Sequence, residues 1–159
     1  MSKRTVRFER FGGIIGLREP PALVYVNRGY MRRLGYADSP LWHGAPAHLS
    51  APTEVHFSLT NACPLGCRHC TADSGRTLAG ELSAEQAKRA IDVLAGMKVF
   101  HIAFGGGELF TRPDAIELAE YALSRGIVPN ATTNGLYVTP EVAKACHIFG
   151  QINVSLDGI

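Results

Sequence analysis

Apolar runs alternate with amphipathic segments along the chain from residue 54 onward. The apolar runs, which are rich in β-branched and aromatic residues, predict strands at residues 54–59, 99–104, 127–133 and 151–156. Apolar residues at helical spacing predict helices at residues 83–97, 114–125 and 140–146. Ser83 followed by Gln86 forms a capping box at the start of the first helix. The repeated strand–helix order predicts an α/β fold.

Strands separated by helices indicate a parallel sheet with right-handed crossovers, of the kind found in (β/α) barrels. In such barrels ligands bind at the carboxyl ends of the strands. Each predicted strand is followed by residues suited to binding, and these lie at 63–70, 105–108, 132–135 and 155–158. The sequence therefore predicts one shared site at this end of the sheet.

The N-terminal third has a different pattern. Residues 7–16 and 22–26 predict a β-hairpin, and residues 27–34 predict a short helix. The proline-containing residues 37–53 are typical of a linker. We therefore expect an N-terminal extension at 1–36, a linker at 37–53 and part of a barrel at 54–159.

Composition is that of a globular protein: 46% of the 159 residues are hydrophobic, 19% are charged and the net charge is +2. Residues 1–33 carry a charge of +6 and residues 34–159 a charge of −4. A basic arm can bind nucleic acid, an acidic peptide or an acidic surface of the same protein. The alternative is a charged surface that is simply solvated. Without a nucleic-acid motif, a secretory signal or an apolar run of ~20 residues, we expect no nucleic-acid partner, no membrane span and a cytoplasmic location.

Three of the four cysteines lie within eight residues, as Cys63-x3-Cys67-x2-Cys70, and Cys146 is distant. Clustered cysteines in a cytosolic chain favour metal binding over disulfides. Zinc takes four ligands, and His69 lies between two of the cysteines. A [4Fe–4S] cluster also takes four cysteines as a rule, so three would leave one iron open. The residues alone leave both metals possible.

The cysteine spacing, directly after a strand, resembles that of the radical S-adenosylmethionine (SAM) enzymes. The resemblance implies that Cys63, Cys67 and Cys70 hold a [4Fe–4S] cluster whose open iron is chelated by SAM. It also implies that His69 lies near the adenine. It further implies that SAM is cleaved reductively to a 5′-deoxyadenosyl radical, which abstracts a hydrogen atom from the substrate.

The other strand ends extend the resemblance. Gly105, Gly106, Gly107 and Glu108 resemble the glycine–glycine–glutamate motif that binds the SAM amino group, although Leu109 replaces the usual proline. A plain tight turn is the alternative for these glycines.

The third and fourth strand ends add further candidates. In the resemblance, Thr133 and Asn134 lie near the sulfonium and carboxylate of SAM, and ordinary Asn-Gly turn chemistry is the alternative. Ser155 is assigned to the SAM carboxylate or ribose, and Asp157 to the ribose or the substrate.

The segment from Leu82 through the glycine motif is most similar to SPASM-type peptide maturases, in the manner of the mycofactocin maturases. This implies a ribosomally made peptide as substrate and a flavodoxin or ferredoxin as electron donor. The N-terminal hairpin is similar to part of a leader-peptide recognition module, and an extension that packs against the barrel is the alternative.

The predicted barrel stops after its fourth strand, so we expect an N-terminal portion of a longer enzyme, with little activity alone. Two other classes stay open: a noncatalytic iron–sulfur or zinc module, and a leader-binding accessory protein with a degenerate barrel.

Overall fold

A computed structural model of the chain describes residues 4–43 and 48–156. Its seven strands are β1 (Arg4–Glu9), β2 (Gly12–Arg18), β3 (Pro21–Asn27), β4 (Glu54–Thr60), β5 (His101–Gly106), β6 (Val128–Thr133) and β7 (Gln151–Val154). Its α-helices are α1 (Arg28–Arg33), α2 (Ala84–Gly96), α3 (Ala115–Ser124) and α4 (Pro140–Ala145). Short 3-10 turns lie at Pro40–Trp42, Leu109–Thr111 and Cys146–Ile148. None of the helices in these two ranges is long and apolar enough to cross a bilayer.

The predicted parallel sheet is confirmed, with strand order β4-β5-β6-β7 and all three neighbouring pairs parallel. Helices α2, α3 and α4 connect successive strands, as the amphipathic pattern predicted. The capping box is also present: the Ser83 side chain accepts from the Gln86 N–H, and the Gln86 side chain accepts from the Ser83 N–H. An apolar core fills the space between the sheet and its helices, and Ile91, Phe104 and Leu118 are buried within it.

One strand boundary differs in a way that matters for the site. The glycines were expected to end the second barrel strand at residue 104, but β5 continues through Gly105 and Gly106. Parallel pairing continues there because Ser58 lies opposite Gly105 and Thr60 opposite Gly106, with a register shift between them.

The N-terminal hairpin is present within a larger sheet of three antiparallel strands, in the order β1-β2-β3. Residues 7–16, treated as one hairpin segment from sequence, are divided by a turn at residues 10 and 11. Part of the expected linker is packed as well. Trp42 is 2% exposed, and its Nε1–H donates to the Gly12 carbonyl at 2.8 Å.

The two sheets are joined at the amino ends of the barrel strands. Arg7 is buried, and its guanidinium donates to the carbonyls of Ala51 and Pro52 and lies 4.9 Å from the centre of the Phe100 ring. A Cβ at Gly16 would lie 2.4 Å from the Phe100 ring, so the strand and the aromatic ring are in close contact. The N-terminal sheet therefore covers the end of the barrel opposite the cysteine loop.

Candidate functional site

The cysteine loop begins directly after β4, and its other end returns to the same place, where Gly75 pairs with the residues that follow the strand. The backbone N–H of Cys63 donates to the Gly75 carbonyl and the N–H of Gly75 donates to the Asn61 carbonyl, both at 2.9 Å. These two bonds close the loop into a short parallel bridge between Ala62 and Gly75. The sequence between them therefore projects as one closed loop that carries all three clustered cysteines.

All four cysteines are free thiols, and Cys70 is exposed. The backbone N–H of Ser74 donates to Cys70 Sγ at 3.4 Å. Together with the N–H of Ala72, this bond lowers the pKa of the Cys70 thiol and favours the thiolate. Thiolate is the form that binds iron or zinc.

The donor set of the loop fits an iron–sulfur cluster in its chemistry. Cys63, Cys67 and Cys70 are soft ligands, and none is consumed in a disulfide. Within residues 4–43 and 48–156, no three His, Cys, Asp or Glu side chains are gathered in a metal-holding arrangement. A cluster therefore requires the three thiols to turn toward a common point.

Glu108 is the fully buried acidic residue at the carboxyl end of β5, with 0% exposure. Its Oε1 accepts from the Thr133 hydroxyl at 2.7 Å and from the Phe110 N–H at 3.1 Å. Its Oε2 accepts from the Asn134 N–H at 2.6 Å. Three donors thus satisfy the carboxylate and tie the second strand end to the third.

Asn134 links the Glu108 carboxylate to the cysteine loop. Its side-chain Nδ2 lies 3.8 Å from Cys63 Sγ. The Glu108 backbone N–H donates to the Ala62 carbonyl at 2.7 Å, directly before Cys63. The structure therefore brings together Cys63, Glu108, Thr133 and Asn134, which the sequence placed at three separate strand ends.

The three glycines of the motif have different surroundings. A Cβ at Gly106 would lie 2.1 Å from the Thr60 carbonyl oxygen, and one at Gly107 would lie 2.2 Å from that of Ala62. Gly106 also has a φ of +127°, which an L side chain rarely adopts. At Gly105 no atom lies within 4 Å of the added Cβ. Two glycines therefore allow close approach of the protein's own backbone, and Gly105 alone faces open space.

The remaining candidates are more peripheral. His69 lies in the cysteine loop and is exposed. Ser155 is exposed at the end of β7, and its backbone N–H donates to the Thr133 carbonyl at 2.9 Å. Asp157 lies outside the described residues.

Two charged residues that support the site were missed from sequence. Glu81 accepts from the backbone N–H groups of Asn61 and Leu78, at 2.8 and 2.9 Å, and these bonds lower its pKa. Arg112 donates to the carbonyls of Leu59 and Leu82, at 2.8 and 2.9 Å. Both hold the segment that follows β4. Leu78 is three residues from Glu81, but the other backbone partners are 20 or more residues away, so the local sequence does not indicate those contacts.

Arg112 is held in turn by Asp114, which accepts from the guanidinium Nε at 2.8 Å. This hydrogen bond lowers the pKa of the Asp114 carboxyl. The short Arg-x-Asp spacing was the one signal that could have identified the pair.

A cleft of about 250 Å³ lies beside the cysteine loop, lined by residues that include Thr60, Ala72, Glu81 and Gly106. A larger cleft of about 800 Å³ lies near the amino ends of the strands, lined by residues that include Pro20, Pro21, Leu123 and Phe149. Gly106 is the candidate residue that lines the smaller cleft.

The sequence model of the Radical SAM superfamily matches residues 57–159. Mycofactocin maturase MftC of Mycobacterium tuberculosis is 44% identical over 112 residues, which are 69% of this chain and 29% of that protein. The AdoMet-dependent heme synthase of Methanosarcina barkeri is 36% identical over 115 residues, which are 70% of this chain and 33% of that protein. The chain therefore spans about a third of the length of these relatives.

Solved structures share the fold. SuiB of Streptococcus suis bound to S-adenosylmethionine has a TM-score of 0.67 and 18% identity, covering 91% of this chain and 44% of SuiB. SuiB bound to its precursor peptide SuiA has a TM-score of 0.68 and 15% identity, covering 90% and 44%. The solved structures confirm the expected α/β fold class. The family match and the 44% identical relative confirm the resemblance to the radical SAM enzymes.

Proposed function

Because the chain belongs to the radical SAM superfamily, a superfamily of enzymes that use a [4Fe–4S] cluster and SAM, we propose that Cys63, Cys67 and Cys70 hold such a cluster in this protein. SAM then binds beside the cluster at the carboxyl ends of the parallel strands. The observation that carries the proposal is the contact of the cysteine loop with the ends of β5 and β6, through Glu108 and Asn134. When bound, the two cofactors supply one-electron reductive cleavage of the SAM sulfonium and radical chemistry at an unactivated carbon.

The residues at the strand ends fall into two groups: those that hold the strand ends together and those that can contact SAM. Gly106, Gly107 and Thr133 hold the strand ends together, since their surroundings are protein backbone or Glu108. Gly105 and Ser155 border open space or solvent and can approach SAM directly.

Glu108 also remains a SAM ligand in this proposal. A carboxylate has about four acceptor sites, and three donors occupy the Glu108 carboxylate. One acceptor site is left for the SAM amino group, and because Glu108 has no exposed surface, SAM reaches it only if the surrounding strand ends move apart. We assign His69, which is exposed on the cysteine loop, to the adenine side and Asp157 to the ribose or the substrate.

We propose a peptide as the substrate. MftC, at 44% identity, is named as a maturase, and SuiB has been solved with a precursor peptide. The N-terminal sheet adds a physical reason: β3 is the last strand in the order β1-β2-β3, so among the described strands it pairs only with β2, and its other edge is where a peptide strand could be added. The charge of +6 over residues 1–33 favours an acidic peptide.

A cytoplasmic flavodoxin or ferredoxin is the proposed electron donor, since reduction of the cluster requires a one-electron donor of low potential.

The relative that is named as a heme synthase indicates the competing substrate class, a tetrapyrrole. Turnover of a tetrapyrrole by the complete protein, with none of any peptide, would replace the peptide proposal and leave the cofactor proposal intact.

Cysteine variants of the complete gene product test the cluster. Anaerobic reconstitution should load about four fewer iron atoms per chain when Cys63, Cys67 or Cys70 is changed to Ala. Cys146→Ala is the matched control, because Cys146 lies at the end of α4 and burial raises the pKa of its thiol. Equal iron content in Cys67→Ala and the unaltered protein would contradict the proposal.

Formation of 5′-deoxyadenosine from SAM tests the activity. The same preparation, supplied with a chemical reductant, should release 5′-deoxyadenosine, and Cys67→Ala should not. Tight zinc binding with no cleavage of SAM would favour a noncatalytic binding module instead.

A further inference from the structure

The side-chain amide of Asn134 faces a cysteine sulfur. Its Nδ2 lies 3.8 Å from Cys63 Sγ, within the range of an N–H···S bond because sulfur is a large acceptor atom. Cys63 and Asn134 are 71 residues apart and come from the ends of β4 and β6. The contact therefore depends on the fold and not on local sequence.

The orientation of the amide follows from its other bonds. Asn134 Oδ1 accepts from the Leu136 N–H at 2.9 Å, which forms an Asx turn. Because that bond occupies the oxygen, the NH₂ group is the end of the amide that faces the sulfur. The donor is thus directed at Cys63 by the turn itself.

Glu108 fixes both partners of the contact. Its carboxylate accepts from the Asn134 N–H at 2.6 Å, and its own N–H donates to the Ala62 carbonyl at 2.7 Å. Ala62 directly precedes Cys63. One fully buried residue therefore sets the distance between the amide and the thiol.

A hydrogen bond to a ligand sulfur has a definite electrostatic effect. It stabilises negative charge on the sulfur, and the reduced cluster carries one more electron than the oxidised cluster. Hydrogen bonds to cluster sulfurs are among the factors that set reduction potentials, and partners of this kind tune a metal centre through its ligands.

We propose, on the basis of the proposed cluster, that Asn134 is a positioning residue that donates an N–H···S bond to the cluster ligand Cys63 and raises the reduction potential of the cluster. This role differs from direct contact with SAM. It makes the end of β6 part of the electronic surroundings of the cluster.

Redox titration of the reconstituted complete protein, followed by EPR, tests this role. Asn134→Leu removes the donor with little change in volume, and Asn134→Asp removes it while keeping the acceptor for the Leu136 N–H. Both variants should move the potential to more negative values, by roughly 59 mV for a tenfold change in the one-electron equilibrium. Asn153→Leu is the matched control, since Asn153 is exposed on β7 and its amide oxygen accepts from Gln151.

An unchanged potential in Asn134→Leu, with full iron content, would overturn the proposal. An equal shift in Asn153→Leu would also overturn it, because the effect would then not depend on the sulfur contact.

The contact is also testable in protein that holds no cluster. In protein labelled with 15N-asparagine, Cys63→Ala should move the side-chain amide signal of Asn134, and Cys146→Ala should leave it in place. A signal that Cys63→Ala does not move would overturn the contact. If the unaltered protein assembles no cluster, the proposed function fails and the tuning role fails with it, while this spectrum still decides the contact.

Discussion

The Thr133 hydroxyl donates a hydrogen bond of 2.7 Å to the carboxylate of Glu108, a side chain with no exposed surface. The same hydroxyl accepts from the Gly135 N–H at 3.0 Å. Thr133 therefore connects a buried charge to the turn that follows β6. A buried carboxylate is tolerated only when its hydrogen bonds are made, so this pair should be sensitive to substitution.

Thr133→Val should destabilise the protein by about 1–3 kcal/mol, because a methyl group replaces the donor and leaves Glu108 one partner short. Urea unfolding of the complete protein measures the change. Thr132→Val is the matched control, since Thr132 is exposed on the same strand. Equal stability of the two variants would show that the hydroxyl contributes nothing.

Substitutions in the glycine motif should have different effects at different positions: a loss of stability where the glycine lies against backbone, and a loss of SAM binding where it borders open space. Gly107→Ala should cost about 1–3 kcal/mol, because its Cβ would lie 2.2 Å from the Ala62 carbonyl oxygen. Gly105→Ala should leave the melting temperature nearly unchanged but weaken SAM binding, since its Cβ would occupy open space. Thermal unfolding and calorimetric titration with SAM measure the two effects. Normal SAM affinity in Gly105→Ala would remove Gly105 from the proposed site.

The ion pair of Arg112 with Asp114 predicts a pH dependence. The guanidinium donates to the Asp114 carboxylate and lowers its pKa, so its contribution to stability is present above about pH 3.9 and is lost as the pH falls through the lowered folded value. Asp114→Asn should therefore lower the free energy of unfolding at pH 7 by about 1–2 kcal/mol. The difference from the unaltered protein should vanish in strong acid.

Asp38→Asn provides the comparison, because Asp38 pairs with Arg32 in an exposed, bidentate contact. That variant should change stability little at any pH. A pH-independent effect of Asp114→Asn would assign its role to something other than the ionised carboxylate.

The attachment of the N-terminal sheet should depend on Arg7. Arg7 and Glu9 form a buried ion pair with a distance of 2.8 Å, and their side chains are 4% and 3% exposed. Arg7→Met should cost about 3–5 kcal/mol, since it leaves the buried Glu9 carboxylate without its cationic partner, although Ser50 still donates to it. Limited proteolysis near the linker should become faster. Arg10→Met, at an exposed position, should change neither measurement.

The double variant Arg7→Met with Glu9→Gln should recover part of that loss, because no unpaired charge remains buried. Purely additive losses would contradict a coupling between the two charges.

Periodicity and cysteine spacing were sufficient to predict the parallel sheet and to place Cys63, Glu108 and Asn134 at one end of it. The carboxyl ends of parallel strands meet at one edge, so strand order alone brings these residues together. The bonds among them were not predictable in this way. Nothing in the sequence indicates that Gly106 lies against the backbone of Thr60, at the end of β4, or that Gly107 lies against the backbone of Ala62, just after it.

The contacts of Arg7 in the N-terminal sheet were also not predictable from the sequence. A basic residue in a polar strand is ordinarily solvated, but its guanidinium meets the carbonyls of Ala51 and Pro52. These partners are more than forty residues away and become visible only when the two sheets are placed against each other.

EPR of the reduced cluster in the complete protein, with and without SAM, tests the central claim most directly. Binding of SAM at an open iron should change the cluster signal in the unaltered protein and in Cys146→Ala, and Cys67→Ala should lack that signal. A folded protein with a fully loaded cluster whose spectrum is the same with and without SAM would contradict the assignment of this site to radical SAM chemistry.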